Sequence, residues 1–259
     1  SIDGNGLNWI SIGNNTINYS TDSGSNWTGV PSSSIMLSNS YSIASNDSKW
    51  IAGGGGTSAT IFSYSEDAIG WGTFGNTGTG QLTMCIKWAP QQEMFILAFY
   101  GKLSQRLIAR STDGINWICC DTGPNNNAVF DGPCITSSPS KILISGGGNA
   151  ISNSIASSRF FSSTDGINWS STTYPFSAGS PLWVGAPLNK FFLFGNNRVL
   201  SSSDAVSWNM QILGPITNII NGAWSDYLGK LCVLSAGNSG KYGVAVSSDG
   251  LNWTYGDIN

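Results

Sequence analysis

Apolar residues gather in short runs along the whole chain, and each run is closed by glycine, asparagine or serine. Trp50-Ile51-Ala52 ends in a glycine run, beyond which Ile61-Phe62-Ser63-Tyr64 forms a second apolar segment. Met94 to Ala98 leads in the same way to Leu107-Ile108-Ala109-Arg110, and Phe191 to Phe194 leads to Val199-Leu200. Upstream of these pairs lie further short segments, such as Cys85-Ile86-Lys87-Trp88, Leu182-Trp183-Val184 and Gly222-Ala223-Trp224. Runs of this length between turn-forming residues predict short strands joined by tight loops. Charged residues make up only 10% of the chain, too few to give amphipathic helices their solvent faces.

One phrase follows the paired runs six times. It reads Ser20-Thr-Asp22-Ser-Gly24-Ser-Asn-Trp27, Ser65-Glu-Asp67-Ala-Ile-Gly-Trp71, Ser111-Thr-Asp113-Gly114-Ile-Asn-Trp117, Ser163-Thr-Asp165-Gly166-Ile-Asn-Trp169, Ser202-Ser-Asp204-Ala-Val-Ser-Trp208 and Ser247-Ser-Asp249-Gly250-Leu-Asn-Trp253. A period of about 45 residues holds four short strands with their turns, which is one propeller blade. Each unit therefore reads inner strand, second strand, loop, third strand, turn and outer strand. An Asp that opens a turn accepts its backbone N–H groups, Gly permits the left-handed backbone there, and a Trp closes the turn by burying its ring between sheets.

The phrase resembles the Asp-box, Ser-x-Asp-x-Gly-x-x-Trp, of sialidase-like (BNR-repeat) proteins. The copy at Asp22 matches it letter for letter; those at Asp67 and Asp204 carry Ala where Gly is expected. The resemblance implies an all-β fold, a six-bladed β-propeller of four-stranded antiparallel blades with an Asp-box turn in each. Residues 1–259 then form one domain, with blades ending near Trp27, Trp71, Trp117, Trp169, Trp208 and Trp253. The Asp and Trp of each phrase are expected to be structural. About two dozen residues separate most of these tryptophans from the second strand of the next blade. Only six residues follow Trp253 and eight precede Trp9, a shortage of roughly one strand's length. A first blade without its inner strand, a strand supplied by another segment, or a chain cut from a longer protein would each account for it.

Composition removes several chemistries. The chain has no histidine, so His-based metal sites, Ser-His-Asp triads and Cys-His dyads fall together. Its five cysteines show no CxxC spacing and read as small buried apolar side chains. A net charge of −3 with scattered Lys and Arg gives no basic stripe for nucleic acid. No apolar run approaches the ~20 residues of a membrane-spanning helix, so membrane insertion is not expected. No cofactor or metal is called for. Of the Asn-x-Ser/Thr sequons, those at Asn26, Asn168 and Asn252 are by-products of the repeated phrase.

In propellers of this family the Asp-box turns lie opposite the ligand face. The ligand-face candidates are accordingly the loops at 53–60, 75–80, 101–106, 121–132, 146–157, 195–198 and 237–242. Within and beside them Tyr100, Lys102, Arg106, Asp121, Asp131, Arg198 and Tyr242 are the candidate ligand-binding residues. Amides and hydroxyls beside aromatic faces suit neutral sugars. Sialidases use three arginines, an early Arg-Ile-Pro-like motif and a Tyr/Glu pair; here the arginines are Arg106, Arg110, Arg159 and Arg198, and the motif is absent. Glu66 and Glu93 fall in turns on the wrong face, and of the carboxylates outside the phrase only Asp121 and Asp131 share a ligand-face loop. A glycosidase needs two carboxyl groups ~5–9 Å apart across one bond, so no catalysis is expected.

The segments also resemble repeat proteins of bacteriophages, large DNA viruses and secreted bacterial adhesins. That resemblance implies a non-catalytic binding or assembly module, lectin-like, on a virion or outside a cell. Its partners would be glycans or a protein assembly partner, including further copies of itself. A glycoside hydrolase of sialidase-like fold and a purely structural propeller are the alternatives.

Overall fold

The computed structural model describes residues 1–13, 16–30, 39–55, 62–74, 82–100, 108–120, 133–146, 159–173, 181–214, 216, 219–236 and 242–257. These form six four-stranded antiparallel sheets with no helix among the described residues, each sheet built from four strands consecutive in sequence. They fall into two compact units: Ser1–Pro133 with Asp165–Trp169, and Cys134–Thr164 with Ser170–Asn259.

The first unit holds three sheets. The first comprises Ile2–Asn5, Asn8–Gly13, Thr16–Ser20 and Thr28–Gly29; the second Asn39–Ser45, Trp50–Gly55, Phe62–Ser65 and Gly72–Phe74; the third Leu82–Ala89, Met94–Tyr100, Ile108–Ser111 and Ile118–Cys120. In the second unit the fourth sheet comprises Pro133–Ser137, Ile142–Gly146, Arg159–Ser163 and Ser170–Thr173. The fifth comprises Pro181–Val184, Lys190–Gly195, Arg198–Ser202 and Asn209–Ile212, and the sixth Ile219–Ser225, Lys230–Ala236, Tyr242–Ser247 and Thr254–Asp257.

The first sheet has its inner strand, Ile2–Asn5, so of the accounts of the shortage the one in which this blade lacks that strand falls away. Ile2–Asn5 pairs with Asn8–Ser11 through the two-residue turn Gly6-Leu7, with Gly6 at φ 64°. A two-residue turn replaces the longer connections of the other sheets, which is how the eight residues before Trp9 hold the inner strand.

Register repeats as strictly as sequence does. The serine that opens the phrase always faces the same position of the second strand: Trp9↔Ser20, Trp50↔Ser65, Phe95↔Ser111, Ile142↔Ser163, Phe191↔Ser202 and Leu231↔Ser247. Sheets within each unit then pack face to face through large apolar side chains. In the first unit Ile10, Ile12 and Ile17 meet Ile43, Trp50 and Ala52, and Ile51 and Phe62 meet Ile86, Phe95 and Leu97. In the second unit Leu143 and Phe160 meet Phe191 and Leu193, while Phe192 and Phe194 meet Ile219, Leu231 and Val233.

The turn after each third strand joins these cores. Ala68 and Trp71 pack with the first sheet, Trp117 lies 5.2 Å from Phe62 of the second, and Trp208 lies 5.4 Å from Phe160 of the fourth. The rings sit less deep than expected. Only Trp71 is buried; Trp117, Trp169, Trp208 and Trp253 are half-buried and Trp27 is 40% exposed. In four turns the indole N–H donates back to its own turn, at Gly24, Ala68, Gly114 and Gly166, both where the ring is buried, as at Trp71, and where it is exposed, as at Trp27. Asp3 adds a polar tie in the first unit, accepting from the Ser45 N–H at 2.7 Å and its hydroxyl at 2.9 Å.

Candidate functional site

The repeated turn is a closed hydrogen-bond unit. Its serine is buried at every copy, between 1% and 4% exposed. The hydroxyl donates to the aspartate Oδ1, at 2.7 Å for Ser20 and 2.9 Å for Ser111, Ser202 and Ser247. The same oxygen accepts the N–H of the left-handed residue, Gly24, Gly114, Ala205 or Gly250. Oδ1 then accepts further turn N–H groups, for example Ile115 and Asn116 at 2.8 and 2.7 Å. In four turns an asparagine closes the unit by donating its amide to Oδ2: Asn26, Asn116, Asn168 and Asn252.

These donors hold the carboxylates ionised. Asp22 is lowered to about 2, chiefly by the N–H and amide of Asn26 and the Ser20 hydroxyl. Asp204 is lowered to about 2 by the N–H groups of Ser207 and Val206 and then the Ser202 hydroxyl. At Asp113 burial opposes the charge, but the Asn116 and Ile115 donors outweigh it and leave the group well below the usual carboxylate range. Asp249 is lowered as far by Asn252 and Leu251. Each of these four carboxylates is bonded within its own turn.

Most of the ligand-binding candidates cannot be joined to this picture. Lys102, Arg106, Asp121 and Asp131 lie outside the described residues, as do the side chains of Tyr100 and Tyr242, whose backbones end and begin strands. Arg198 is described: half-buried, it opens a third strand opposite Gly195 across the tight turn Asn196-Asn197. Among the described residues no three metal-ligating side chains gather. Cys120 is buried, its thiol donating to the Gly166 carbonyl at 3.6 Å and pushed up in pKa by burial.

The opposite end of the sheets, where the Asp turns lie, presents a feature that sequence reasoning passed over. The residue after the left-handed position is a bare aliphatic in five turns. Ile69, Ile115 and Ile167 are 46%, 38% and 47% exposed in the first unit, and Val206 and Leu251 are 67% and 49% exposed in the second. Isolated exposed apolar residues are ordinary. Recurrence at one position of one turn is not, and the available signal was the Ile/Val/Leu that follows Gly or Ala in these phrases. The connections between first and second strands share that end of each sheet, because strands one to four run antiparallel in order. They add Leu7 in the first unit, and Tyr227 and Leu228 in the second. The turns of the first unit also carry Asp22, Asp47, Glu66, Asp67, Glu93, Asp113 and Asp165, with Lys49 as the one cation among their described residues.

A cleft of ≈ 400 Å³ opens at the Asp67 turn, lined by Tyr64, Glu66, Asp67, Gly70 and Gly72. Lys49 borders it: its ammonium donates to the Asp113 carbonyl at 3.2 Å, lies 3.7 Å from Glu66 and stands 5.8 Å from the Tyr64 ring centre.

With sheets and turns placed, comparison with solved structures decides the fold. YCF48 from Cyanidioschyzon merolae superposes with a TM-score of 0.67 at 10% identity over 99% of this chain and 84% of that one. YCF48 bound to D1 peptide gives 0.66 at 14% identity over 98% and 79%. A chain of a nidogen–laminin complex gives 0.58 at 12% identity over 96% and 93%. The fold is a β-propeller of six four-stranded blades. No protein-family model and no curated protein matches the chain.

Proposed function

We propose that this propeller is a non-catalytic binding module that docks a protein partner at the turn end of its blades. The observation that carries the reading is the exposed aliphatic repeated at the tips of Ile69, Ile115 and Ile167 in one unit and of Val206 and Leu251 in the other. Repeated apolar tips in a polar setting gain by being covered, and a protein surface is the partner that covers several together. Two of the similar structures are complexes, YCF48 with a D1 peptide and nidogen with laminin, and they support the choice. The non-catalytic part of the reading is supported by the turn carboxylates, which are held low by their own turns and so are poor general acids near neutral pH.

Two finer statements go with it. The bonding of serine, aspartate and the left-handed residue supports reading these turns as Asp-boxes of the sialidase-like kind. Display on a virion or secreted surface, as the sequence resemblance implies, would leave such tips open to a partner. Glycan recognition, most of whose candidate residues lie outside the described ones, is an outcome of the test. A variant carrying Ile69→Ser, Ile115→Ser and Ile167→Ser is compared with the wild type for retention of proteins from an extract of its source, and both are applied to a glycan array. The reading expects a discrete protein retained by the wild type and lost from an equally folded variant. Retention unchanged in the variant, or glycan binding without any protein, overturns it.

A further inference from the structure

The Asp67 and Asp204 turns lack the asparagine of the other four, with Gly70 and Ser207 in its place, and only the Asp67 turn has no side chain there at all. Where the turns at Asp22, Asp113, Asp165 and Asp249 place an asparagine amide on Oδ2, this turn has Gly70. Asp67 Oδ1 still accepts the Ser65 hydroxyl and the N–H groups of Ile69 and Gly70, but Oδ2 receives no hydrogen bond among the described residues. The missing side chain leaves the cleft open toward that oxygen. Gly72 shapes its other wall: a Cβ there would lie 2.7 Å from the Tyr64 ring, so only glycine lets the ring rest against the strand. Glu66 stands at the rim, exposed and only loosely approached by Lys49.

The cleft therefore offers two carboxylates, one aromatic ring and one ammonium that is already bonded to the Asp113 carbonyl. Lys49 offsets one negative charge and leaves the other. An anionic ligand would meet two like charges, whereas a cation completes the balance. A second ammonium would repeat Lys49 as a point charge. A guanidinium is planar, presents a fork of donors to carboxylate oxygens and lies flat beside an aromatic ring. We infer that this cleft seats an arginine side chain of the docked protein. The inference rests on the turn-end docking reading and adds the partner's chemistry: a basic surface, matched to the acidic turns of the first unit, with one arginine entering beside Ile69.

The test uses the whole chain labelled for amide NMR and three probes: N-acetyl-arginine methylamide, its neutral isostere N-acetyl-citrulline methylamide, and methyl glucoside. The expected result is saturable shifts at Tyr64, Gly70 and Gly72 with the arginine compound alone, weakened by salt. Gly70→Asn installs the asparagine used by four of the other turns, caps Oδ2 and fills the cleft. Its Cβ would meet Asp67 oxygens at an ordinary 3.6–3.7 Å, so the fold should persist while arginine affinity falls about tenfold or more. Glu66→Gln provides an independent variant with a smaller loss. Equal shifts from citrulline, shifts from the glucoside instead, no shift at all, or full binding by Gly70→Asn each overturn the arginine assignment. None of these results touches the isoleucine variant's protein retention, so the two readings fail separately.

Discussion

Gly114→Ala is the substitution whose cost the fold states most plainly. Gly114 sits at φ +73°, and a Cβ there would lie 2.6 Å from Cδ1 of Ile51 and 3.4 Å from the Phe95 ring. Two penalties add: holding an L-residue in the left-handed region costs about 1–2 kcal/mol, and forcing a methyl into packed side chains costs about 1–3 kcal/mol. Lower entropy of the unfolded alanine chain returns about 0.4–1 kcal/mol. At the middle of these ranges the net loss is about 3 kcal/mol, which for a chain of this size lowers Tm by roughly 6–12 °C. Gly6→Ala supplies the control, since Gly6 has φ +64° with nothing within 4 Å of the added carbon. It bears only the backbone penalty, so it should lose about 1 kcal/mol or less. The assay is urea unfolding followed by tryptophan fluorescence on both variants. Equal losses at Gly114 and Gly6 would refute the claim that the turn is packed tightly against the neighbouring sheet.

Three further outcomes follow from the same bonds. Stability should be flat between pH 7 and 5 and fall as pH drops from about 4 toward 2: Asp22 and Asp204 have folded values lowered to about 2 against an unfolded value near 3.9, so their contribution is present above the unfolded value and lost through the folded one. Urea midpoints across that range check it, and a protein that gains stability on acidification to pH 3 would contradict it. Ser111→Ala orphans the Gly114 N–H and takes a donor from Asp113, for an expected loss of about 1–3 kcal/mol, read by the same unfolding assay. Asp3→Ala leaves the Ser45 N–H without its acceptor and should cost about 1–3 kcal/mol, with faster amide exchange at Ser45 as the local signature.

Much of the architecture could be read from residues alone, because the repeat carries it. A serine, an aspartate and a glycine at fixed spacing define a turn through local bonds, and the apolar runs beside them define strands whose register the serine then fixes. Even the alanines at 68 and 205 adopt the left-handed backbone that glycine marks elsewhere, at φ 68° and 54°. What escaped reading depended on neighbours distant in sequence. The inner strand Ile2–Asn5 was hidden by a count that allowed no two-residue turn. The depth of the tryptophans was overestimated because the same local turn leaves ring exposure anywhere from 8% at Trp71 to 40% at Trp27. The aliphatic tips passed unremarked in the one-dimensional pattern, and only the fold shows Ile69, Ile115 and Ile167 half bare. Gly70 also passed unremarked, and its consequence, an uncapped Asp67 beside Tyr64, appears only once the turn is built.

Site-specific photo-cross-linking tests the docking claim most directly. A photoreactive side chain is placed at Ile115, at a turn tip, and in a second variant at Ile212, 60% exposed at the far end of a fourth strand opposite Arg198. Irradiation in an extract of the chain's source should yield one discrete protein adduct from position 115 and none from position 212. An adduct from position 212 with none from position 115 would contradict docking at the turn end.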